Sequence, residues 1–573
     1  MKNNILKCIL ISTLLISAFT SCGDEAKNSM ANSSSQAEPS RSDDSKSENS
    51  HNDEFKLEMK NSDESDDDIS YSPDYDDGAS YSPDSNISYS PSANDSDISY
   101  STSPDSSYDY YGYDEEYSEF VENTFKSVLA NPLSTFSSDV DTASYSTVRR
   151  MINDYGFVYD ANAVRIEEMI NYFDYNYAPP TDDAFSVTTE MSECPWNTSN
   201  KLLSIGVKGK EIETDRIPSN IVFLLDVSGS MYSDDKLPLM VEAFCMLTEN
   251  LNENDRVSIV TYAGGDAVLL TGTPGNEYAE ISSVLHSLEA SGSTNGAAGI
   301  NTAYELAEKY FIKGGNNRVI LATDGDLNVG VSSVEELEEL ITEKRESGVY
   351  LSVLGFGTGN IKDNRMETLA DNGNGNYAYI DSISEARKTL VEEMGGTLFT
   401  IAKDVKFQVE FNPQYVSEYR LVGYENRLMN DQDFYDDTKD AGEIGSGHTV
   451  TALYEIVPVD SELPLKYQAD ETAPTSEFTD EWLTVSVSYK EPDSDKSSIL
   501  KFPVGKDHIT DFPSENMQFA SCVAEFGMLL RESEYAGNIT YDDILTTLEG
   551  LDCTSNDKYK KEFTELVKIV SEN

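Results

Sequence analysis

Asp226, Ser228 and Ser230 put three oxygen side chains on alternate positions of the stretch IVFLLDVSGSM (Ile221–Met231). A carboxylate and two hydroxyls so spaced on a glycine-containing loop read as a site for a hard cation. The run Ile221–Leu225 before them lacks polar positions, as a parallel strand covered on both faces should. Its carboxyl end is where open α/β sheets place their ligand sites. Rival chemistries fit the loop less well. A hydrolase elbow needs Gly-x-Ser-x-Gly, whereas Asp226 stands two residues before Ser228. The histidines are His51, His286, His448 and His508, and the sequence sets none beside the loop as a base. There is no phosphate-binding Gly-x-x-x-x-Gly-Lys-[Ser/Thr], and GFGTGN (Gly355–Asn360) is a lone glycine-rich turn without an acidic follow-up.

The pattern Asp-x-Ser-x-Ser after an apolar strand resembles the metal-ion-dependent adhesion site of von Willebrand factor A (vWA) domains. Two further segments carry the resemblance. SGSTNGAAGI (Ser291–Ile300) is similar to the family's second metal loop, with Thr294 as the matching hydroxyl, and RVILATDGD (Arg318–Asp326) to the third, with Asp324 as the matching carboxylate. Asp-x-Ser-x-Ser alone is weak in a serine-rich chain; three loops in order, each beside the right element, are specific. The matched set holds no His or Cys and so suits Mg²⁺ first, with Mn²⁺ or Ca²⁺ as alternatives, rather than zinc. The resemblance implies that Ser228, Ser230 and Thr294 coordinate directly or through water, and Asp226 and Asp324 mainly through water. With little direct negative charge, such an ion stays electrophilic and takes a Glu or Asp of a partner protein. Two alternatives stand beside this one: Ser, Thr and Asp also cap helices and turns, and an ion can stiffen the loops without engaging any partner.

The elements that must position this site follow from periodicity. Strands are expected at Ile221–Leu225, Val257–Tyr262, Val268–Leu270, Val319–Thr323, Tyr350–Phe356 and Asn376–Ile380, separated by amphipathic helical stretches at Leu237–Leu251, Tyr278–Leu288, Ala297–Phe311, Val334–Glu346 and Glu385–Met394. Alternating strands and helices give a doubly wound sheet. The family's third strand is a short antiparallel edge, which Val268–Leu270 would fit. On both sides the period changes to two. AFSVTTEM and KLLSIGVKGKEI before it, and DVKFQVEFNP, HTVTALYEIVPV, WLTVSVSYK and ILKFPV after it, read as half-buried strands with one polar face. The expected fold class is therefore α/β: a doubly wound, Rossmann-like vWA domain inserted between flanking β-sandwich strands, with contact between Leu203–Lys208 and the strands after Val405.

Helical spacing at Val148, Met151 and Ile152, and again at Ile166, Met169, Ile170 and Phe173, marks an amino-terminal helical segment. Together with FSVTTEMSECPWN (Phe185–Asn197) it closely resembles the amino-terminal flank of a family of bacterial vWA-domain lipoproteins. Asn516–Leu529 and Tyr541–Val570 are helical by spacing and are similar to the carboxy-terminal region of the same proteins. Asp139 and Asp141 are expected to cap the next helix rather than hold a second cation. DQDFYDD (Asp431–Asp437) lacks the glycine and glutamate of a calcium loop and reads as a solvated loop.

The first residues carry Lys2 and Lys7, then an apolar stretch from Cys8 to Phe19, then Thr-Ser-Cys, the layout of a secretory signal ending in a lipobox. Resemblance to bacterial lipoproteins makes Cys22 the lipidated residue, with a plain secreted protein as the alternative. No other run is long and apolar enough to span a bilayer. From Gly23 to about Ser118 the composition is Ser, Asp, Glu, Asn, Tyr and Pro, with no Lys or Arg between Lys60 and Lys126. Such a stretch cannot bury enough apolar surface to offset its ordering entropy and reads as a disordered tether. Within it ISYSP (Ile69–Pro73) recurs unchanged at Ile87–Pro91 and with one change each at Ala79–Pro83 and Ile98–Thr102. Cys194, Cys245, Cys522 and Cys553 show no paired metal spacing; disulfides are permitted, not required, and Cys245 reads as a buried small hydrophobe. The formal charge of -63 makes nucleic acid and anionic lipid headgroups poor partners.

The expected organisation is a signal and lipobox over 1–22, a tether over 23–118, an amino-terminal flanking domain over 119–217, the vWA domain over 218–401, a β-rich domain over 402–510 and a helical region over 511–573. The resemblance implies a non-catalytic, lipid-anchored protein of the bacterial cell envelope that captures an acidic side chain of a protein ligand through its metal. A scaffold whose ion only stabilises the loops is the alternative, and a hydrolase the least favoured reading.

Overall fold

The computed structural model describes residues 115–138, 141–213, 217–293, 296–325, 334–393, 399–459, 480–492 and 494–573. The signal and lipobox with Cys22, the tether as far as residue 114, Asp139 and Thr294 lie outside the described residues.

Before the central sheet come β1 (Lys126–Ser127), β2 (Leu133–Ser137), α1 (Ala143–Tyr155), α2 (Ile166–Asn171), β3 (Phe185–Cys194) and β4 (Asn197–Gly209). The central unit runs β5 (Ser219–Asp226), α3 (Leu237–Thr248), β6 (Arg256–Tyr262), β7 (Asp266–Pro274), α4 (Tyr278–Leu285), α5 (Gly296–Lys309), β8 (Asn316–Thr323), α6 (Val334–Arg345), β9 (Tyr350–Phe356), α7 (Asp363–Asn372), β10 (Tyr377–Ile380) and α8 (Ile383–Arg387). After it come β11 (Thr400–Phe411), β12 (Val416–Val422), β13 (Leu428–Met429), β14 (Ile444–Gly445), β15 (Thr449–Pro458), β16 (Glu481–Lys490), β17 (Ser497–Gly505), α9 (Glu515–Leu530), α10 (Tyr541–Gly550), α11 (Asp552–Asn556) and α12 (Lys558–Ser571).

The central sheet has the order β10-β9-β8-β5-β6-β7, parallel throughout except for β7, an antiparallel edge paired to β6. Every residue of β5 is buried, as its unbroken apolar run requires. Ile221, Phe223 and Leu225 join the core beneath α3 and α4, while Val222 and Leu224 join the opposite core with α5, α6 and α7. Helices thus cover both faces, and the doubly wound fold is as expected. Helix α7 was not expected: its buried Met366, Leu369 and Ala370 are a short apolar stripe in an otherwise polar segment.

The flanking strands form two further sheets, β1-β12-β15-β4-β3 and β13-β2-β11-β16-β17. β4 and β15 pair antiparallel from Lys208↔Thr449 to Lys201↔Ile456, so the strands before and after the central unit close one sandwich around its insertion. The expectation of one polar face fails for β15, whose first eight residues are all buried. Val450, Ala452, Tyr454 and Ile456 meet the second sheet, while Leu453 joins a core built from α1, α2, α9, α10 and α12. Helices from both ends of the chain cover the outer face of that sheet, giving a β/β/α stack.

Two smaller expectations are corrected. Asp141 does not cap α1, whose N-cap is Thr142. Its carboxylate accepts the Tyr377 backbone N–H at 2.8 Å and an Arg427 N–H at 3.1 Å, tying the flank to the edge strand β10. The tether, expected to reach Ser118, gives way to the folded body earlier, since Glu115 and Glu116 are already bonded into it. Among the described residues no helix is long and apolar enough to cross a membrane.

Candidate metal centre

β5 delivers Asp226, fully buried, to the carboxyl end of the sheet, where the chain leaves the strand and turns through Gly229–Tyr232. Asp226 Oδ1 accepts the Ser228 backbone N–H at 2.8 Å, which folds the loop back over its own carboxylate. Oδ2 accepts the Thr323 hydroxyl at 3.2 Å from the neighbouring β8. Ser228 Oγ and Ser230 Oγ lie 3.0 Å apart, the first buried and the second exposed. The second loop docks on the first, with Gly229 N donating to Gly292 O at 3.1 Å and Ser291 N to Val227 O at 2.8 Å. A Cβ at Gly229 would stand 3.3 Å from Gly292 O, so this approach favours glycine. Thr294 belongs to that second loop but lies outside the described residues.

Asp324 follows β8 and is also fully buried. Its Oδ2 accepts from Lys236 Nζ at 2.9 Å, and the same ammonium donates to Asn360 Oδ1 at 3.1 Å. The third loop passes so close to residues 360–362 that a Cβ on Gly325, at φ +94°, would stand 2.8 Å from Asn360 O and Lys362 N. The structure therefore brings Asp226, Ser228, Ser230 and Asp324 to one end of the sheet. It adds Lys236, Asn360 and Thr323, which sequence reading missed. GFGTGN, read as a lone turn, is the wall that carries Asn360.

The two carboxylates differ electrostatically. Burial pushes Asp226 up to about 6, against the opposing hydrogen bonds from Ser228 and with the charge of Asp324 adding to the rise. Burial also works against Asp324, but the hydrogen bond and charge of Lys236 outweigh it and hold that carboxyl below its ordinary value.

These residues fit a hard divalent ion. Neighbouring ligands of an octahedron with metal–oxygen distances of about 2.0–2.1 Å are about 2.9–3.0 Å apart, and the two serine hydroxyls stand at that separation. Two carboxylates balanced by one ammonium leave one net negative charge, less than a dication carries. The whole would keep an affinity for a further anion.

Among the described residues, the histidines lie elsewhere. His508 Nδ1 is 2.7 Å from Thr189 Oγ1, and the backbone carbonyl of His448 accepts from Gly209 N. His286 stands 3.8 Å from Cys245 Sγ and 3.6 Å from Glu242, a layout resembling a thiol triad. Two facts remove it from that role. His286 Nδ1 faces the Ser282 carbonyl at 2.8 Å and must carry its proton there, and burial raises the Cys245 thiol away from thiolate. Cys245 is the buried small hydrophobe expected, and Cys194, Cys522 and Cys553 are likewise free.

Comparison with known proteins agrees with this fold. The von Willebrand factor type A domain profile matches residues 220–393, a von Willebrand factor profile residues 112–204, and the profile of uncharacterized protein YfbK, C-terminal, residues 396–572. The chain is 41% identical over 465 residues to "Uncharacterized protein YfbK" of Escherichia coli (strain K12), covering 79% of this chain and 80% of that protein. It is 30% identical over 198 residues to inter-alpha-trypsin inhibitor heavy chain H3 of Homo sapiens, covering 32% of this chain and 22% of that one. Among solved structures, von Willebrand factor type A from Catenulispora acidiphila matches with TM-score 0.35 and 16% identity, covering 62% of this chain and 80% of that one. An aerotolerance-related membrane protein from Bacteroides fragilis matches with TM-score 0.26 and 21% identity, covering 31% and 98%.

Proposed function

Since the chain belongs to the YfbK family of vWA-domain proteins, we propose that it is a non-catalytic binding protein that captures an acidic side chain of a protein ligand through a divalent cation. Asp226, Ser228, Ser230, Thr294 and Asp324 would hold the ion, Mg²⁺ first and Mn²⁺ or Ca²⁺ as alternatives. When bound, the ion supplies a Lewis-acidic position for a partner oxygen. The observation that carries this reading is the 3.0 Å pair of serine hydroxyls beside two buried carboxylates, one of them already neutralised by Lys236. Tyr232, 83% exposed and two residues beyond Ser230, offers the ligand an aromatic contact at the rim. The site of action is the cell envelope, with Cys22 as the lipid anchor to the membrane, and adhesion or assembly of an envelope complex as the role.

The Lys236–Asp324 contact favours a second reading, in which the loops are already held by a side-chain cation and a metal only adds rigidity. Calorimetric titration of Mg²⁺, Mn²⁺ and Ca²⁺ into the metal-stripped protein and its Asp226→Ala variant, followed by metal-dependent partner capture, separates the two. Saturable binding and capture, both lost in the variant, are expected. Metal binding that raises thermal stability while capture ignores a chelator would support the scaffold. Absence of metal binding would overturn both.

A further inference from the structure

Lys236 brings to the candidate metal centre a charge of the same sign as the ion. Its position is fixed from several sides. The backbone is pinned as α3 begins, with Lys236 N donating to Ser233 O at 3.0 Å and Lys236 O accepting from Met240 N at 2.8 Å. The side chain is only 9% exposed, and its stem lies so close to Gly357 that a Cβ there would collide with it. The ammonium ends between Asp324 Oδ2 and Asn360 Oδ1. Asn360 is held on both sides in its turn: Gly359 N donates to Glu115 Oε1 at 3.0 Å, and Ile361 O accepts from Glu116 N at 2.9 Å. The amino-terminal flank thus braces the loop that aims Lys236 at Asp324. Burying an ammonium is costly even when it is paired, and a neutral donor could hydrogen-bond Asp324 without that cost. A charge built into this place therefore calls for an electrostatic account.

We propose that Lys236 is a specificity-determining residue of the centre, lowering its affinity for the divalent cation and raising the affinity of the loaded centre for a single carboxylate. This deepens the metal-dependent reading and rests on it. Asp226, Asp324 and the ammonium together supply one net negative charge, so a divalent ion leaves the loaded centre with one positive charge. Without the ammonium the two carboxylates would neutralise the ion in full, and no net charge would remain to draw in an anion. The same ammonium repels the incoming ion, so the two affinities must move in opposite directions when it is removed. A unit charge a few ångströms away, in a site partly shielded from water, changes either equilibrium by about an order of magnitude or more. The ligand class follows from the balance: a monoanionic carboxylate cancels the remaining charge, and a neutral amide does not.

The test uses the full chain with Mn²⁺ and acetate as probes. Free Mn²⁺ is followed by its paramagnetic signal, and access to the bound ion by water-proton relaxation, which falls as acetate replaces water. Lys236→Met keeps the stem and removes the charge, whereas Lys236→Arg keeps the charge. Lys236→Met is expected to bind Mn²⁺ about tenfold more tightly and to need about tenfold more acetate to displace its water. Lys236→Arg should stay close to the unaltered chain on both measures, and acetamide should displace water from none of them. A lysine that merely fastens the loops would move neither affinity or weaken both. Unchanged or weaker Mn²⁺ binding in Lys236→Met, or an unchanged acetate response, with binding still lost in Asp226→Ala, would overturn this proposal and leave the metal site standing. A Lys236→Arg variant that follows Lys236→Met would assign the effect to shape and overturn it as well. Mn²⁺ binding that is absent from the unaltered chain, or indifferent to Asp226→Ala, would remove the metal reading and the proposal with it. If Lys236→Met is unstable without metal, its melting temperature decides: saturating Mn²⁺ should raise it further than that of the unaltered chain, and an equal or smaller rise would overturn the proposal.

Discussion

Asp226 lies fully buried in the candidate site. Burial lifts its carboxyl to about 6, so on acidification it takes up a proton where an ordinary aspartate would still be charged. In the metal-free protein the sign of the linkage follows: a folded value above the ordinary 3.8 favours the folded state fully at low pH, and that contribution is lost as pH rises through about 6. A divalent ion reverses the preference, because it needs the charged form. We therefore expect Mg²⁺ or Mn²⁺ affinity to fall about tenfold between about pH 7 and about pH 5, where an unshifted aspartate would leave it nearly flat. Calorimetric titrations across that window check it, and a flat profile would show that Asp226 does not bear on the ion. At this scale much of the candidate site was legible. Asp226, Ser228 and Ser230 announce themselves by spacing, and Asp324 by its place after an apolar strand. Lys236 and Asn360 do not, because the first meets Asp324 across 88 positions of sequence and the second meets Lys236 across 124. No local pattern encodes either contact.

Elements built on one strong period were legible, and elements fixed by distant partners were not. β5 and β8 are apolar throughout, so their burial in a parallel sheet could be read directly. β2, with the sequence LSTFS, becomes a strand by pairing with β11 from Leu133↔Glu410 to Ser137↔Lys406, a decision made far along the chain. The same holds for the second buried face of β15, which depends on helices from both termini. Helix α9 carries a testable consequence of that packing. Glu525, on its buried face, is pushed up to about 8 by burial, with the charge of Asp543 on α10 adding to it. A folded value above the ordinary 4.5 means that the neutral form stabilises α9 fully below that value, and that this stability is lost as pH rises through about 8. Glu525→Gln, neutral at every pH, should match the unaltered protein near pH 5 and exceed its stability by on the order of a few kcal/mol near pH 9. Denaturant unfolding at the two pH values measures this, and parallel pH profiles would contradict it.

At the scale of the whole molecule, the central sheet is inserted between strands of the sandwich and is locked to the surrounding body by buried charge. Arg149 on α1 donates from Nε and a terminal nitrogen to both oxygens of Asp381 at 2.8 and 2.5 Å, and to Glu385 at 2.7 Å, residues that follow β10 in the insert. It also reaches Tyr172 on α2 and Glu562 on α12. Arg427 from the sandwich grips Glu367 and Asp371 on α7, and Arg165 meets Glu367 from the amino-terminal flank. The insertion itself was legible, because half-buried strands flank an alternating pattern; its fastening was not, since Arg149 and Asp381 stand 232 residues apart. Such pairs add little against an apolar alternative, but removing one partner strands the other in a dry interior at a cost of about 3–5 kcal/mol. Arg149→Met should therefore destabilise the junction by about that amount at neutral pH. The loss should shrink on acidification, because Asp381, already raised by burial, would rise further without the guanidinium and take up a proton instead. If the junction is what makes the insert and the body unfold together, the calorimetric transition of the variant should broaden or divide at neutral pH and sharpen again near pH 4. A single sharp transition, shifted equally at both pH values, would mean that apolar packing joins the two units and that the buried charges only set their register.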